Sequence, residues 1–322
     1  MTTSHISVNR GAAPLIDRLV ERADALRIGV AHGSAGERLI DCGARIEGSL
    51  EAGRLLSEIC LAGLGSVQIG ASSGLARYPF GVEVRTSQPV LACLASQYAG
   101  WQLSHGEGSD AYFAMGSGPA RALAGREAIF EDISYHDEGE AAALVLETGS
   151  PPPPALIRRI GAECGVEPGN LTVLYAPTQS LAGTVQIVAR VVEVALHKAH
   201  EMGFELTDIV EGIGTAPLPA PHPDFITAMG RTNDAVIYGG RVLLHVRGSA
   251  AAAAELAANL PSSTCKDYGR PFAEIFRAYK GDFYQIDPTL FSPAEVCVVA
   301  LETGAVFRGG GIDPTLIDAS FG

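Results

Sequence analysis

Residues 171–202 read LTVLYAPTQSLAGTVQIVARVVEVALHKAHEM, and this stretch decides the class of fold. It begins with an apolar run at 171–176 that predicts a buried strand, and it continues into a long helix predicted over Leu181–Met202. Ser180 is a favourable N-cap for that helix, and Gly203 is a favourable stop. A strand that leads directly into a helix is typical of a protein with mixed α and β layers.

The rest of the chain repeats this alternation of strands and helices. A second buried strand is predicted at 141–147. It is followed by Gly149-Ser-Pro-Pro-Pro-Pro154, a run that fixes φ and removes backbone donors. This linker predicts an N-terminal α/β domain at residues 1–150 and a C-terminal α/β domain at 151–322, with exchange of segments allowed. Alternation around Gly239-Gly240 predicts a hairpin over 234–246. The expected fold class is mixed α/β (α+β).

Composition excludes several classes of partner. The chain of 322 residues has a formal net charge of −13, which disfavours nucleic acid and anionic membrane surfaces. No apolar run approaches the roughly 18 residues that span a bilayer, and no secretory signal precedes the first helix, so a cytoplasmic protein is expected. The six cysteines lie far apart without a CxxC pair. Their spacing predicts reduced, mostly buried thiols and no metal site.

One short motif raises the possibility of a serine hydrolase. Gly70-Ala-Ser-Ser-Gly74 matches the G-x-S-x-G pattern, with Ser72 as the nucleophile. That pattern works when a helix follows the serine at once, because the turn then exposes the hydroxyl. Here Leu75-Ala-Arg-Tyr-Pro79 intervenes. The hydrolase stays open as an alternative function.

A second glycine motif predicts a polar contact. Gly116, Ser117 and Gly118 resemble the start of a dinucleotide fingerprint, but Arg121 stands where the third glycine belongs. What remains is a helix start whose backbone N–H groups suit an anion or a polar ligand edge. A tight turn without ligand is the other interpretation, and spacing leaves both open. These four residues are candidate ligand contacts.

The long helix carries the strongest functional signal. At about 100° per residue, Gln186, Arg190, Glu193 and His197 fall within a stripe roughly 60° wide, bordered by apolar side chains. One interpretation is a solvated ion pair, worth a few tenths of a kcal/mol. The other is a functional stripe that lines a cavity, because charges on a buried helix are costly unless they are paired or functional. A carboxylate beside an arginine is a tunable acid/base, since burial and the cation shift its pKa in opposite directions.

A resemblance to a known family spans nearly the whole chain. The sequence is similar to methenyltetrahydromethanopterin cyclohydrolases in several separate blocks. These blocks are Met115–Leu123, Ala176–Gly183 continuing through Gln186, Arg190, Glu193 and His197-Lys198, Asn233-Asp234 with Tyr238–Gly240, Ser262–Phe276, Asp282–Tyr284, and Leu290–Pro293.

The resemblance implies a function and a site. It implies reversible hydrolysis of 5,10-methenyl-tetrahydromethanopterin to the 5-formyl form, in formaldehyde oxidation or methanogenesis. It places general base and acid on Glu193, with Arg190 as its tuning partner and Gln186 as a further candidate contact. It also implies a two-domain subunit with a pterin cleft between the domains, a homotrimer, and chemistry without metal or redox cofactor. A pterin-binding protein without turnover is the alternative.

Overall fold

The computed structural model describes residues 6–108, 111–282 and 285–322. Phe283 and Tyr284, which belong to one of the resemblance blocks, lie outside the described residues. The strands are β1 Gly29–His32, β2 Arg38–Asp41, β3 Gly65–Gly70, β4 Gly81–Thr86, β5 Trp101–His105, β6 Tyr112–Ser117, β7 Ala142–Leu146, β8 Leu171–Tyr175, β9 Ile209–Pro217, β10 Arg241–Val246, β11 Glu295–Ala300 and β12 Ala305–Gly310.

The helices complete the described chain. They are α1 Val8–Glu21, α2 Ala23–Leu26, α3 Leu50–Cys60, α4 Ala120–Ala124, α5 Ile129–Asp132, α6 Pro154–Cys164, α7 Leu181–Val188, α8 Val191–Glu201, α9 Phe225–Ile237, α10 Ala250–Asn259, α11 Phe272–Ala278 and α12 Pro314–Phe321. Val90–Gln97 forms a π-helix. None of the helices within the described ranges is long and apolar enough to cross a membrane.

The chain divides into two compact units, each built from two segments. The first comprises residues 1–65 and 91–183, and the second comprises residues 66–90 and 184–322. Residues 151–183 therefore group with the earlier part of the chain, and residues 66–90 group with the later part. The domain boundary expected near residue 150 stays a prediction.

The first unit is built on a six-stranded mixed sheet in the order β1-β2-β8-β7-β6-β5. Strands β2, β8 and β7 are parallel, and the outer strands run antiparallel to their neighbours. All five residues of β7 are buried. Ala143 and Val145 pack with α1 and α3, whereas Leu144 and Leu146 pack with α6. Coverage of both faces explains why this strand reads as a continuous apolar run.

The second unit carries the other mixed sheet, in the order β12-β11-β10-β9-β4-β3. Strands β10 and β11 are parallel, whereas β9 pairs antiparallel with both β4 and β10. Burial alternates along β10 and β11, so that Val242, Leu244, Val296 and Val298 face the core. Helix α8 packs against β9 and β10. The two mixed sheets confirm the mixed α/β fold class.

The hairpin predicted over 234–246 is wrong. Its first half is the end of α9, which begins after Asp224, whose side chain accepts a hydrogen bond from the Thr227 N–H. Gly239 and Gly240 follow the helix instead of turning a hairpin. A Cβ on Gly240 would lie 2.5 Å from the Val236 carbonyl oxygen, so glycine is needed where the chain leaves α9.

Candidate active site

The helix predicted over Leu181–Met202 exists, but it is two helices. Ser180 caps the first, because its Oγ accepts a hydrogen bond from the Gly183 N–H at 3.0 Å. The helix is interrupted at Ala189 and Arg190, where the Arg190 N–H bonds to the carbonyl of Ile187, three residues back, at 3.1 Å. This tighter bond ends α7 and makes Arg190 the N-cap of α8.

The break places Glu193 in the first turn of α8. Backbone N–H groups at that end of a helix carry partial positive charge, which stabilises a nearby carboxylate. Arg190 Nη1 lies 3.5 Å from Glu193 Oε2, and its Nη2 donates to Gln186 Oε1 at 3.2 Å. All three side chains are buried. The structure therefore joins the three predicted residues into one polar cluster and excludes the solvated ion pair.

His197, the fourth member of the predicted stripe, lies one turn further along α8. Its Nε2 is 3.9 Å from Glu201 Oε1. Its side chain is partly exposed, at 18%. It therefore differs from the buried Gln186, Arg190 and Glu193 in its access to solvent.

Two glycines of β9 bring α8 close to the sheet. A Cβ on Gly214 would lie 2.8 Å from both Val191 Cγ1 and Val192 Cγ2, and a Cβ on Gly212 would lie 2.8 Å from Val192 Cγ1. Real Cβ atoms do not approach this closely, so any larger residue would displace the start of α8. The strand thus fixes the position of the turn that carries Glu193.

A small cavity borders the polar cluster. It measures about 40 Å³, and its lining comes from α7, α8, α9 and Phe291, with Arg190 among the lining residues. A larger cavity of about 210 Å³ lies in the first unit near Asn9 and Arg38. The lining of the larger cavity includes none of the predicted site residues, whereas that of the smaller one includes Arg190.

Two buried charged groups near these elements were missed by sequence reasoning. Asp234 of α9 accepts a hydrogen bond from the Phe272 N–H at 2.9 Å, and burial raises its pKa to about 7. Lys198 of α8 donates to the Pro261 carbonyl at 2.7 Å and to Thr264 Oγ1 at 2.9 Å, and burial lowers its pKa to about 8. Both residues lie in the sequence blocks that resemble the cyclohydrolase family, and this resemblance is the feature of the sequence that could have identified them.

Arg121, predicted as a ligand contact, is instead buried within the first unit. Its Nε donates to Glu127 Oε1 at 2.9 Å, and its Nη2 donates to Glu127 Oε2 at 2.6 Å. Its Nη1 donates to two backbone carbonyls. The guanidinium also lies over the rings of Tyr98 and Phe130, at 5.1 and 5.3 Å. Because its donors are engaged inside the protein, the structure gives Arg121 a structural role.

The residues that precede Arg121 lie where β6 leads into α4. Gly116 and Ser117 end β6, and Ser117 Oγ donates to the Gln97 carbonyl at 2.7 Å. Gly118 has a φ of +93°, and its N–H donates to the Ser96 carbonyl. Helix α4 is only five residues long. The tight-turn interpretation therefore describes this local geometry, and ligand contact by Gly116–Gly118 stays a prediction.

Ser72 is placed unsuitably for a nucleophile elbow. Residues 71–80, which the structure describes throughout, form no helix, so the sharp strand-to-helix turn is missing. The Ser72 Oγ is buried and has no hydrogen-bond partner among the described residues. A serine hydroxyl that is not hydrogen-bonded to a base is not activated for attack. The serine-hydrolase alternative fails on this geometry.

Comparison with known proteins extends the evidence from the site to the whole chain. A family model described as cyclohydrolase (MCH) matches residues 7–321.

The chain belongs to this cyclohydrolase family.

Three relatives are each named methenyltetrahydromethanopterin cyclohydrolase. The protein of Methylobacterium organophilum is 53% identical over 318 residues, covering 99% of this chain and 98% of the relative. That of Methylosinus trichosporium is 60% identical over 264 residues, covering 82% and 100%. That of Methanothermobacter marburgensis is 42% identical over 322 residues, covering 98% and 99%.

Proposed function

We propose that this chain catalyses the reversible hydrolysis of 5,10-methenyl-tetrahydromethanopterin to 5-formyl-tetrahydromethanopterin in one-carbon metabolism. The observation that carries the proposal is the buried Arg190–Glu193 pair at the start of α8. A carboxylate held by an arginine and a helix N-terminus is suited to exchange protons with water. The names of the full-length relatives supply the substrate.

The reaction needs one group that first accepts and then donates a proton. Water attacks the cationic methenyl carbon, a C–O bond forms, and Glu193 takes one proton from the water. The C–N10 bond of the resulting tetrahedral intermediate then breaks, and Glu193 returns that proton to N10. The remaining hydroxyl proton leaves as the formyl C=O forms, so that the cation and water give the neutral formyl product and one proton.

Arg190 has a different task from Glu193. Its guanidinium contacts the carboxylate and the Gln186 amide oxygen, so it fixes the orientation of the acid/base group. Its positive charge also offsets the attraction between the carboxylate and the cationic substrate, which limits stabilisation of the ground state. Gln186 orients Arg190, and it is our candidate for a substrate contact.

Substitution of Glu193 tests the proposal. Glu193→Gln keeps the shape of the side chain but removes proton transfer, so we expect kcat to fall by about 10²–10⁴-fold. Glu201→Gln is the matched control, because Glu201 is an exposed residue of the same helix; it should retain wild-type turnover. Loss of the ultraviolet absorbance of the methenyl substrate provides the assay. Near wild-type hydrolysis by Glu193→Gln would refute the assignment.

The same assay separates catalysis from binding without turnover. A pterin-binding protein changes the absorbance once per site, whereas an enzyme consumes substrate in large excess. We further propose a cytoplasmic homo-oligomer, with a trimer favoured, and a reaction that needs neither metal nor redox cofactor. Light scattering on the purified protein tests the oligomeric state, and activity after exhaustive chelation tests the independence from metal.

A further inference from the structure

One face of α8 leads from the buried site toward solvent. Glu193, His197 and Glu201 follow one another at intervals of four residues, and residues four apart on an α-helix lie one above the other. The exposed fraction of the side chain rises in the same order, from 5% at Glu193 to 18% at His197 and 45% at Glu201. This face therefore places His197 between the buried carboxylate and solvent.

The spacing of Glu193 and His197 suits proton transfer between them. The Cβ atoms of residues four apart on a helix are separated by about 5–6 Å. Because Cα–Cβ bonds in a helix tilt toward its N-terminus, the side chain of His197 starts toward the turn that carries Glu193. A carboxyl group and an imidazole at this separation exchange a proton directly or through one water molecule.

The reaction leaves Glu193 with a proton that it has to lose. Hydrolysis of the cationic methenyl group to a neutral formyl group releases one proton in each turnover. Once Glu193 has protonated N10 it is a carboxylate again, so it is placed to accept the hydroxyl proton as that O–H bond breaks and the formyl C=O forms. The buried carboxyl must then give up this proton before it can activate the next water.

We propose that His197 relays this proton from Glu193 to solvent, an inference that rests on the proposed function. A neutral imidazole accepts a proton on one ring nitrogen and releases one from the other, so it suits a relay. The Glu193 O–H bond breaks, an imidazolium forms, and its exposed side passes a proton to water or buffer. Both side chains return to their starting states, and ring closure uses the same path in reverse. The relay ends at His197, because that side chain already reaches solvent, and the Glu201 carboxylate, 3.9 Å from its Nε2, is not required.

Substitution of His197 by alanine and by glutamine tests the relay. Neither new side chain exchanges protons near neutral pH, so kcat in dilute buffer should fall by at least about tenfold in both variants. The value of kcat/KM should stay at that of the wild type, because it covers the steps up to product release, which precede the recovery of Glu193. Added imidazole should restore kcat of His197→Ala, because this small base fits the space that the side chain has left.

The matched control is His200→Gln. His200 lies on the same helix, and its Nδ1 is 4.0 Å from the Glu201 carboxylate, so it shares part of the surroundings of His197. It follows Glu193 by seven residues, however, which is about 10 Å along the helix axis. Direct transfer does not reach that far, so His200→Gln should keep wild-type kcat in dilute buffer.

The outcomes separate the relay from the proposed function. If the wild-type protein does not hydrolyse the methenyl substrate, both fail together. If it does, and both His197 variants keep wild-type kcat in dilute buffer, the relay alone is refuted. The relay is also refuted if kcat and kcat/KM fall together and imidazole restores neither, since that result indicates a structural role.

One further measurement does not depend on the folding of a variant. A relay delivers the proton to the surface, where small and large buffer molecules take it up alike. The wild-type protein should therefore show the same kcat in imidazole and in a bulky sulfonate buffer of equal base strength. A wild-type kcat that is higher in imidazole would mean that the base has to enter the site, and it would overturn the proposal.

Discussion

Replacing Arg121 with methionine should destabilise the first unit strongly without removing a ligand contact. The guanidinium is fully buried, and it bonds to the Glu127 carboxylate and to the carbonyls of Leu94 and Ser96. Methionine keeps much of the apolar stem but leaves a poorly solvated carboxylate and two carbonyls without these partners. Breaking a buried pair from one side costs about 3–5 kcal/mol.

Urea unfolding measures this loss. With a slope of about 3 kcal/mol per molar, a loss of 3–5 kcal/mol lowers the unfolding midpoint by roughly 1–2 M. Trp101 is the single tryptophan of the chain, and it is buried in β5 of the same unit, so its fluorescence reports this transition. Arg126→Met is the matched control, because that arginine is 59% exposed and pairs with Glu163 at 3.7 Å; it should cost less than about 1 kcal/mol.

The result that would refute this reasoning is specific. If Arg121→Met unfolds at the wild-type midpoint and its KM for the methenyl substrate rises, the arginine contacts ligand and its structural role is wrong. If its midpoint falls and the KM of the remaining folded enzyme is unchanged, the buried role holds. Glu127→Gln provides a second measurement, because it should also lower the midpoint by leaving the buried guanidinium without its counter-charge.

Two further predictions concern the second unit. Gly214→Ala should lower the free energy of unfolding by about 1–3 kcal/mol and should also lower kcat, because its Cβ would push the start of α8 away. Gly149→Ala is the control, because open space surrounds that glycine, and it should change neither quantity. Urea unfolding midpoints and turnover rates check both variants. Burial raises the pKa of Asp234 from 3.8 to about 7, so the folded protein binds the extra proton and stability falls as pH rises from about 4 to 7, then levels off. Asp234→Asn removes this slope and should gain about 2–3 kcal/mol relative to wild type between pH 5 and pH 8; parallel wild-type and variant curves would contradict it.

Much of the fold was predictable because its elements have strong local signals. The strand β7 lies within a residue of its predicted bounds, and α7 begins at the predicted Leu181. The hairpin prediction rested on alternation around Gly239-Gly240 and did not take account of Asp224, which is the N-cap of α9. The capping residue predicts the structure better, because its side chain bonds to a backbone N–H at the start of the helix, whereas two adjacent glycines occur in several kinds of turn.

The candidate site was predictable only in part. Helical periodicity brought Gln186, Arg190 and Glu193 to one face, and the structure joins them. The break before α8 was not predictable, because neither Ala189 nor Arg190 is a residue that interrupts helices. The cavity also escaped prediction, since it depends on residues separated by about a hundred positions. The buried contacts of Arg121 were not predictable for a similar reason, because its partners Leu94 and Ser96 lie on a separate stretch of chain.

The second unit is built from two separate segments of the chain, and this has a consequence for biosynthesis. Strand β4 leaves the ribosome early, but its neighbour β9 pairs Pro217 with Gly81, 136 residues later in the chain. At about 5–20 residues per second, β4 waits roughly 7–27 s for this partner. During that interval β3 and β4 present unpaired strand edges while the first unit is still being synthesised, and such edges invite association with other nascent chains. The order of these strands in the chain therefore leaves β3 and β4 exposed to such association during synthesis, well before any substrate is bound.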